Sequence, residues 1–284
     1  MDGKILPEKL RYYLQESISS AVEAHMTGSA FSRSSPLSAE AMVELLLTAR
    51  GRNLESELRY MGLPVTRSAL SKRRKLLPAG LLRDTLLRFN AKCEDSRSYD
   101  GCRIVMASTT VVNTTRQGGH ALPVRPLYDV MNKVYLDAVI GDDAGDAQSP
   151  VVTLPRSMSG EEYRRLWSAP WGIEAAMEEQ RRGLRIANAH GRSELFLRQE
   201  LWASMIFSNF CSRIAGALAF PQGKTAGGYR INEAVTADLC RDFYRTPGAD
   251  GGALLREIAR YAEPVPPISG GKSEGAGGFC FLAA

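Results

Sequence analysis

Residues 163–200 read YRRLWSAPWGIEAAMEEQRRGLRIANAHGRSELFLRQE. Glu174 opens an amphipathic helical pattern, and basic residues follow it at helical intervals. A separation of about two turns places Glu174 and Arg181 on one face, with Glu178 between them. A carboxylate and a guanidinium on one face, just after the aromatic Trp167 and Trp171, suit a site that holds a metal ion and a phosphate together. Taken alone, the stretch is more simply an exposed helix with ordinary charge pairs. The sequence around it decides between the two.

With 284 residues the chain can bury a large core and can hold one large or two modest domains. Its 44% hydrophobic and 24% charged residues are ordinary for a globular protein. A formal charge of +5 permits a polyanionic partner without requiring one. The placement of charge says more. Lys72, Arg73, Arg74 and Lys75 form one basic block, and Arg181, Arg182, Arg185 and Arg192 form a second.

The five cysteines are scattered without metal-ligand spacing, and their odd number points to reduced thiols in a cytoplasm. The three histidines are too dispersed for a zinc site. The first residues, MDGKILPEKLRYYLQE, lack a signal-peptide core, and no apolar run reaches membrane-spanning length. A soluble cytoplasmic protein is expected.

Residues 1–90 read as helical. Apolar residues recur helically from Leu10 to Ala24, and SRSSPLS ends in a plausible N-cap at Ser38. A second helix runs through AEAMVELLLTARG. LESELRYMGL and TRSALSKRRKLL then form two short helices around a break at Gly62–Pro64, with Thr66 or Ser68 as cap. That arrangement suits a helix-turn-helix whose second helix enters the major groove, or equally a packing helix with a solvated basic face.

From Tyr99 the character changes. CRIVMASTTVVN is rich in β-branched residues, YDVMNKVYLDAVIG suggests another strand, GDDAGDAQSP a polar loop, and VVTLP one more short strand. Helices follow over 160–218, the last with an apolar stripe of Leu201, Met205, Phe210, Ile214 and Leu218. Further helices are expected around Asn232–Tyr244 and Ala253–Tyr261, before a Gly- and Pro-rich tail from Pro264 that is expected to be mobile.

The order W-G-I-E, R-x8-H-G-R, Q-E and Asn209–Phe210 resembles the catalytic helix region of bacterial insertion-sequence transposases. These are DDE transposases with a Tyr-x2-Arg-x3-Glu-x6-Lys signature. Glu174 falls on the signature Glu and Arg181 on its Lys, whereas Trp167 stands at the Tyr and Pro170 at the Arg. The similarity runs through nearly the whole chain in order. LSAEAMVELLLTARGRNLESELRYMG, VTRSALSKRRKLL and LLRFN look like the family's helical DNA-binding region. ALPVRPLYDVMNKVYLDAVI is similar to the segment after its first catalytic strand. VVTLP with MSGEEYRRLW looks like the approach to the Glu helix, and YRINEAVTADLCRDF with YAEPVPPISGG looks like the family's C-terminal tail.

The resemblance implies a mixed α/β protein. A helical DNA-binding region over 1–90 would precede a ribonuclease-H-like core over 91–220, truncated by a missing central segment, and a tail over 221–284. In the family, two Asp and one Glu bind two Mg²⁺ ions to cut and join double-stranded DNA at element ends. In-line attack at a phosphodiester needs one metal at the nucleophile and one at the leaving oxygen, held by several carboxylates.

Here the sequence departs from the pattern. In SYDGCRIVMASTTVVN the first acid position is Ser108, and no carboxylate occurs from Arg103 to Tyr128. The strand that would carry the second Asp is absent, since YLDAVI runs almost directly into GDDAGDAQSP and VVTLP. Of the three acids only Glu174 remains, with Arg181 beside it, and a single Glu is a poor metal ligand set. Asp100, Asp129, Asp137, Asp142, Asp143 and Asp146 are available, but Asp129 and Asp137 match non-catalytic positions and the 142–146 acids fall in a loop. Expected DNA contacts are Lys72, Arg73, Arg74, Lys75, Arg182 and Trp167, the tryptophan by stacking or else by core packing. The reading is a transposase-family chain defective in catalysis, acting as a homo-oligomer or in mixed assembly with a full-length transposase. A non-catalytic DNA-binding regulator and a decayed reading frame are the alternatives.

Overall fold

The structure, a computed structural model, describes residues 6–26, 37–50, 54–93, 97–99, 101–113, 121–144, 151–152, 158–168, 176, 193–218 and 229–264. The N-terminal helices are α1 (Pro7–His25), α2 (Ala39–Thr48), α3 (Leu54–Tyr60), α4 (Arg67–Arg74) and α5 (Ala79–Ala91). The strands β1 (Val105–Ala107), β2 (Thr110–Asn113), β3 (Ala121–Asp129), β4 (Val134–Ile140) and β5 (Val151–Val152) follow. Then come α6 (Gly160–Ser168), α7 (Glu194–Gly216), β6 (Tyr229–Arg230), α8 (Glu233–Arg245), α9 (Gly251–Arg260) and β7 (Glu263–Pro264). The protein is a mixture of helix and sheet.

Helix starts follow the capping chemistry of the sequence. Ser38 accepts the Ala41 N–H at 3.1 Å, Thr66 that of Ala69 at 3.3 Å and Asn232 that of Val235 at 3.1 Å. Each such cap contributes about 1 kcal/mol by satisfying a donor that the first turn leaves free.

Leu197, Leu201, Met205, Ile206, Phe210 and Ile214 are all buried along α7, with Trp202 and Phe207 nearly so. A helix apolar over so much of its circumference belongs inside the molecule. It packs against α1, α2 and α5 on one side and β4 on another. One continuous hydrophobic core therefore runs from α1 through the sheet to α9. Phe89 of α5 and Phe210 of α7 meet in this core with their rings tilted and centroids 6.5 Å apart.

The larger sheet has five strands and is antiparallel throughout. β3 is central. It pairs β4 along one edge, while β1 and β2 lie end to end along the other. Between them Ser108–Thr109 breaks the strand, opposite Arg125 and Pro126 in register. Proline has no N–H to donate to a neighbouring strand, which accounts for a break there.

YDVMNKVYLDAVIG is not one strand, as its alternation suggested, but the end of β3, a turn and β4. The Asp129 carboxylate accepts the N–H groups of Met131 at 3.0 Å and Asn132 at 2.9 Å, and Lys133 takes a left-handed φ of 58°. A short polar side chain that bonds the backbone two and three residues on sets such a turn.

The C-terminal helices dock on the N-terminal ones. Arg11 donates to the carbonyls of Phe243 at 3.0 Å and Thr246 at 2.8 Å, and the Tyr244 hydroxyl to Glu44 at 3.0 Å. β6 and β7 close this region as a small antiparallel pair. Beyond Pro264 the tail lies outside the described residues. Among the described residues no helix is long and apolar enough to cross a membrane.

Candidate nucleic-acid interface

The turn between α3 and α4 rests on Gly62, whose φ of 66° is left-handed and suited to a residue without Cβ. α4 then has two distinct faces. Leu70 and Arg74 are buried, as is Leu77 just beyond, at helical spacing. Arg67, Ser68, Ala69, Lys72, Lys75 and Leu76 are exposed. The outward face therefore carries two cations, Lys72 and Lys75, and the Ser68 hydroxyl at helical intervals, while Arg67 is exposed at the helix start on the side of Leu70 and Arg74.

The basic block of 72–75 is thus split. Lys72 and Lys75 face solvent. Arg73 is half-buried and donates to the Leu37 carbonyl at 2.7 Å. Arg74, expected to touch DNA, is only 2% exposed and points into the protein. Its Nε donates to Gln199 Oε1 at 2.8 Å, its Nη2 to the Phe196 carbonyl at 2.8 Å, and Glu200 lies 2.9 Å from the same nitrogen. Burial pulls the Arg74 pKa below its ordinary value, while Glu200 pushes it back up. Guanidinium stays charged under both. Arg74 is thus placed inside the protein and not on the exposed face of α4. Its place on the Leu70 and Leu77 face was readable from spacing alone.

α3 is fastened by a second buried pair. Glu57 is 2% exposed and accepts from Arg245 Nη2 at 2.9 Å and from the Arg50 N–H at 2.9 Å. Arg245 also donates to the Thr48 hydroxyl and carbonyl. Tyr60, at the end of α3, lies under both the Arg50 and Arg245 guanidinium groups, at 5.3 and 5.1 Å. The buried Arg50 Nε and Arg245 Nη1 have no hydrogen-bond acceptor, and stacking over this ring gives them a partner of another kind.

The remaining expected site residues lie outside what the structure describes. Glu174, Arg181 and Arg182 lie outside the described residues, as do Trp171, His190, Asp100 and Asp146. Trp167 lies on α6, and its side chain is likewise outside what is described. Near Glu174 only Ala176 is described, and it is buried.

Ser108, just past the end of β1, is buried, and Thr109 next to it accepts from Arg125 Nε at 2.8 Å. The other acids of the sheet are committed. Asp129 is fully buried and pairs with Arg103 at 2.6 Å. Asp137 takes both arms of Arg83, at 2.8 and 2.6 Å. Asp142 and Asp143 form an exposed 3-10 turn. Among the described residues no group of three His, Cys, Asp or Glu is placed to hold a metal ion. A neutral serine hydroxyl and two arginine-bound carboxylates do not fit a pair of Mg²⁺ ions, which need anionic oxygen donors converging from several sides. Comparison with known protein families, curated proteins and solved structures gives no match to this chain.

Proposed function

We propose that the chain is a DNA-binding relative of insertion-sequence transposases, which grips duplex DNA through α4 and does not cut it. The observation that carries this reading is the division of α4. Leu70 and Arg74 anchor the helix, while Ser68, Lys72 and Lys75 stand exposed to solvent on the other side. A short helix with cations and a hydroxyl on its outer face matches the phosphate-positioning contacts of helix-turn-helix proteins. The whole-chain resemblance to transposases favours the same partner. A shortened ribonuclease-H-like core belongs to the proposal, and the β1/β2–β3–β4 meander packed on α7 is consistent with it. The loss of cutting rests on Ser108 at the first acid position and on the arginines that occupy Asp129 and Asp137. A chain that holds element ends without turnover would antagonise a full-length transposase.

The test is the binding of a mixed-sequence DNA duplex, followed by gel shift over a range of salt. The full chain should bind with an affinity that falls as salt rises. The Lys72→Ala and Lys75→Ala double variant should lower the salt slope by about one for each lost phosphate contact. Binding that is absent, or untouched by this double variant, overturns the reading.

A further inference from the structure

We infer that Gln199 and Glu200 are positioning residues for DNA contact: acting through Arg74, they hold α4 against α7 and fix the pose of the face that meets the duplex. This rests on the DNA-binding reading above. α4 has eight residues, far below the length at which a helix stands alone in water. It brings only Leu70 as a buried apolar side chain within its span. An apolar stripe cannot hold it, so a polar clasp does.

The clasp is reciprocal. Gln199 Oε1 accepts from Arg74 Nε at 2.8 Å, and Gln199 Nε2 donates to the carbonyls of Arg74 at 3.0 Å and Leu77 at 2.6 Å. The Arg74 carbonyl, which also accepts the Leu77 N–H at 3.2 Å, ends α4, and the Leu77 carbonyl lies in the turn that follows, so Gln199 ties down both the helix end and its exit. Glu200 neutralises the guanidinium at 2.9 Å, and the Phe196 ring lies 4.3 Å beneath it. Gln199 itself is fully buried. The lever is short. Lys72 and Lys75 flank Arg74, and each residue turns about 100° round the helix axis. Rotation of α4 by one position would carry both lysines off the outer face. The pose of the proposed DNA-binding helix is thus set from α7, more than a hundred residues away in sequence.

The experiment compares the full chain with Gln199→Leu by hydrogen exchange and by salt-dependent binding of a mixed-sequence duplex. Exchange across 70–77 should quicken on the order of tenfold, as expected when buried polar groups lose partners. Exchange in α1 and α5 should stay as it was, and duplex affinity should fall by a similar factor. The salt slope should be retained, because the phosphate-facing lysines remain. A merely structural role would instead quicken exchange throughout the core. If Gln199→Leu does not fold, Glu200→Gln keeps the shape, removes the charge and should give a smaller change of the same kind. Unchanged exchange in α4, or unchanged affinity with α4 loosened, overturns the inference alone. A wild-type chain that binds no duplex overturns the DNA reading and this inference with it.

Discussion

Asn209 bonds both backbone polar groups of Tyr135: its Oδ1 accepts the N–H at 2.7 Å and its Nδ2 donates to the carbonyl at 2.7 Å. The side-chain amide thereby serves β4 as a missing neighbour strand on the edge that faces α7. Asn90 of α5 completes the arrangement, donating to the same carbonyl at 2.9 Å and accepting from Asn209 at 3.0 Å. An edge strand inside a core must find partners for its peptide groups, and here two asparagines supply them. Asn209→Leu, similar in size, strands the Tyr135 N–H. It should cost about 2–4 kcal/mol in urea unfolding, from loss of the bonds and burial of an unpaired donor. A cost under about 1 kcal/mol would mean that water replaces the amide.

The pair of Glu57 and Arg245 ties α3 to α8 with 2% and 10% of their side chains exposed. Removing one partner leaves a buried charge, so Arg245→Met should destabilise by about 3–5 kcal/mol. Glu57→Leu with Arg245→Leu should be less damaging than Arg245→Met alone, since no uncompensated charge remains. Chemical unfolding of the three proteins at low and high salt checks both statements. Salt should change the wild-type value little, because a buried pair is poorly screened.

The caps at Ser38 and at Thr66, the latter alongside Ser68, were legible because such residues act within their own turn, whereas the Asn232 cap emerges from the structure. α7 was legible because its stripe is long and its period unmistakable. β3 was not, since Pro123 and Pro126 argue against a central strand by propensity. Only the tertiary register shows Pro126 facing the Ser108–Thr109 gap, where no N–H is required. Arg74 misled for a different reason. A run of four cations reads as surface, yet spacing from Leu70 puts one of them inside, where Gln199 and Glu200 receive it. Nothing local in the sequence announces that pairing across the fold.

Two carboxylates should give stability opposite dependences on pH. Burial raises the Glu44 pKa above the usual 4.5, the Tyr244 hydroxyl bond offsets part of this, and Glu40 adds to the rise. Its contribution is full below the ordinary carboxylate range and is lost as pH rises through the raised folded value. Glu44→Gln should therefore stabilise the chain at neutral pH and matter little near about pH 4. Burial alone would raise Asp137, but the bonds from Arg83 and the Ala138 N–H, with the Arg83 charge, bring it below the usual 3.8. That contribution is present above the ordinary value and lost as pH falls through the lowered one. Arg83 is half-exposed, so it is worth at most about 1 kcal/mol. Urea unfolding of Glu44→Gln and Asp137→Asn across the acid range should show the two opposite slopes; parallel curves would refute the assignment.

Ser108 bears most directly on the absence of cutting. It follows the last residue of β1, is 5% exposed, and stands at the acid position of the transposase pattern. Ser108→Asp would bury a carboxylate next to Thr109, whose hydroxyl already engages the Arg125 guanidinium. It should cost about 1–3 kcal/mol of stability. Duplex binding should persist, because the exposed face of α4 keeps its lysines. Nicking of supercoiled DNA in Mg²⁺ should stay absent, since one new carboxylate still leaves the second acid unsupplied. Nicking that appears with Ser108→Asp and vanishes when Glu174→Gln is added would show a site only one carboxylate short of activity. In that case the proposal of a chain that binds without cutting would have to give way to one of a transposase disabled at a single position.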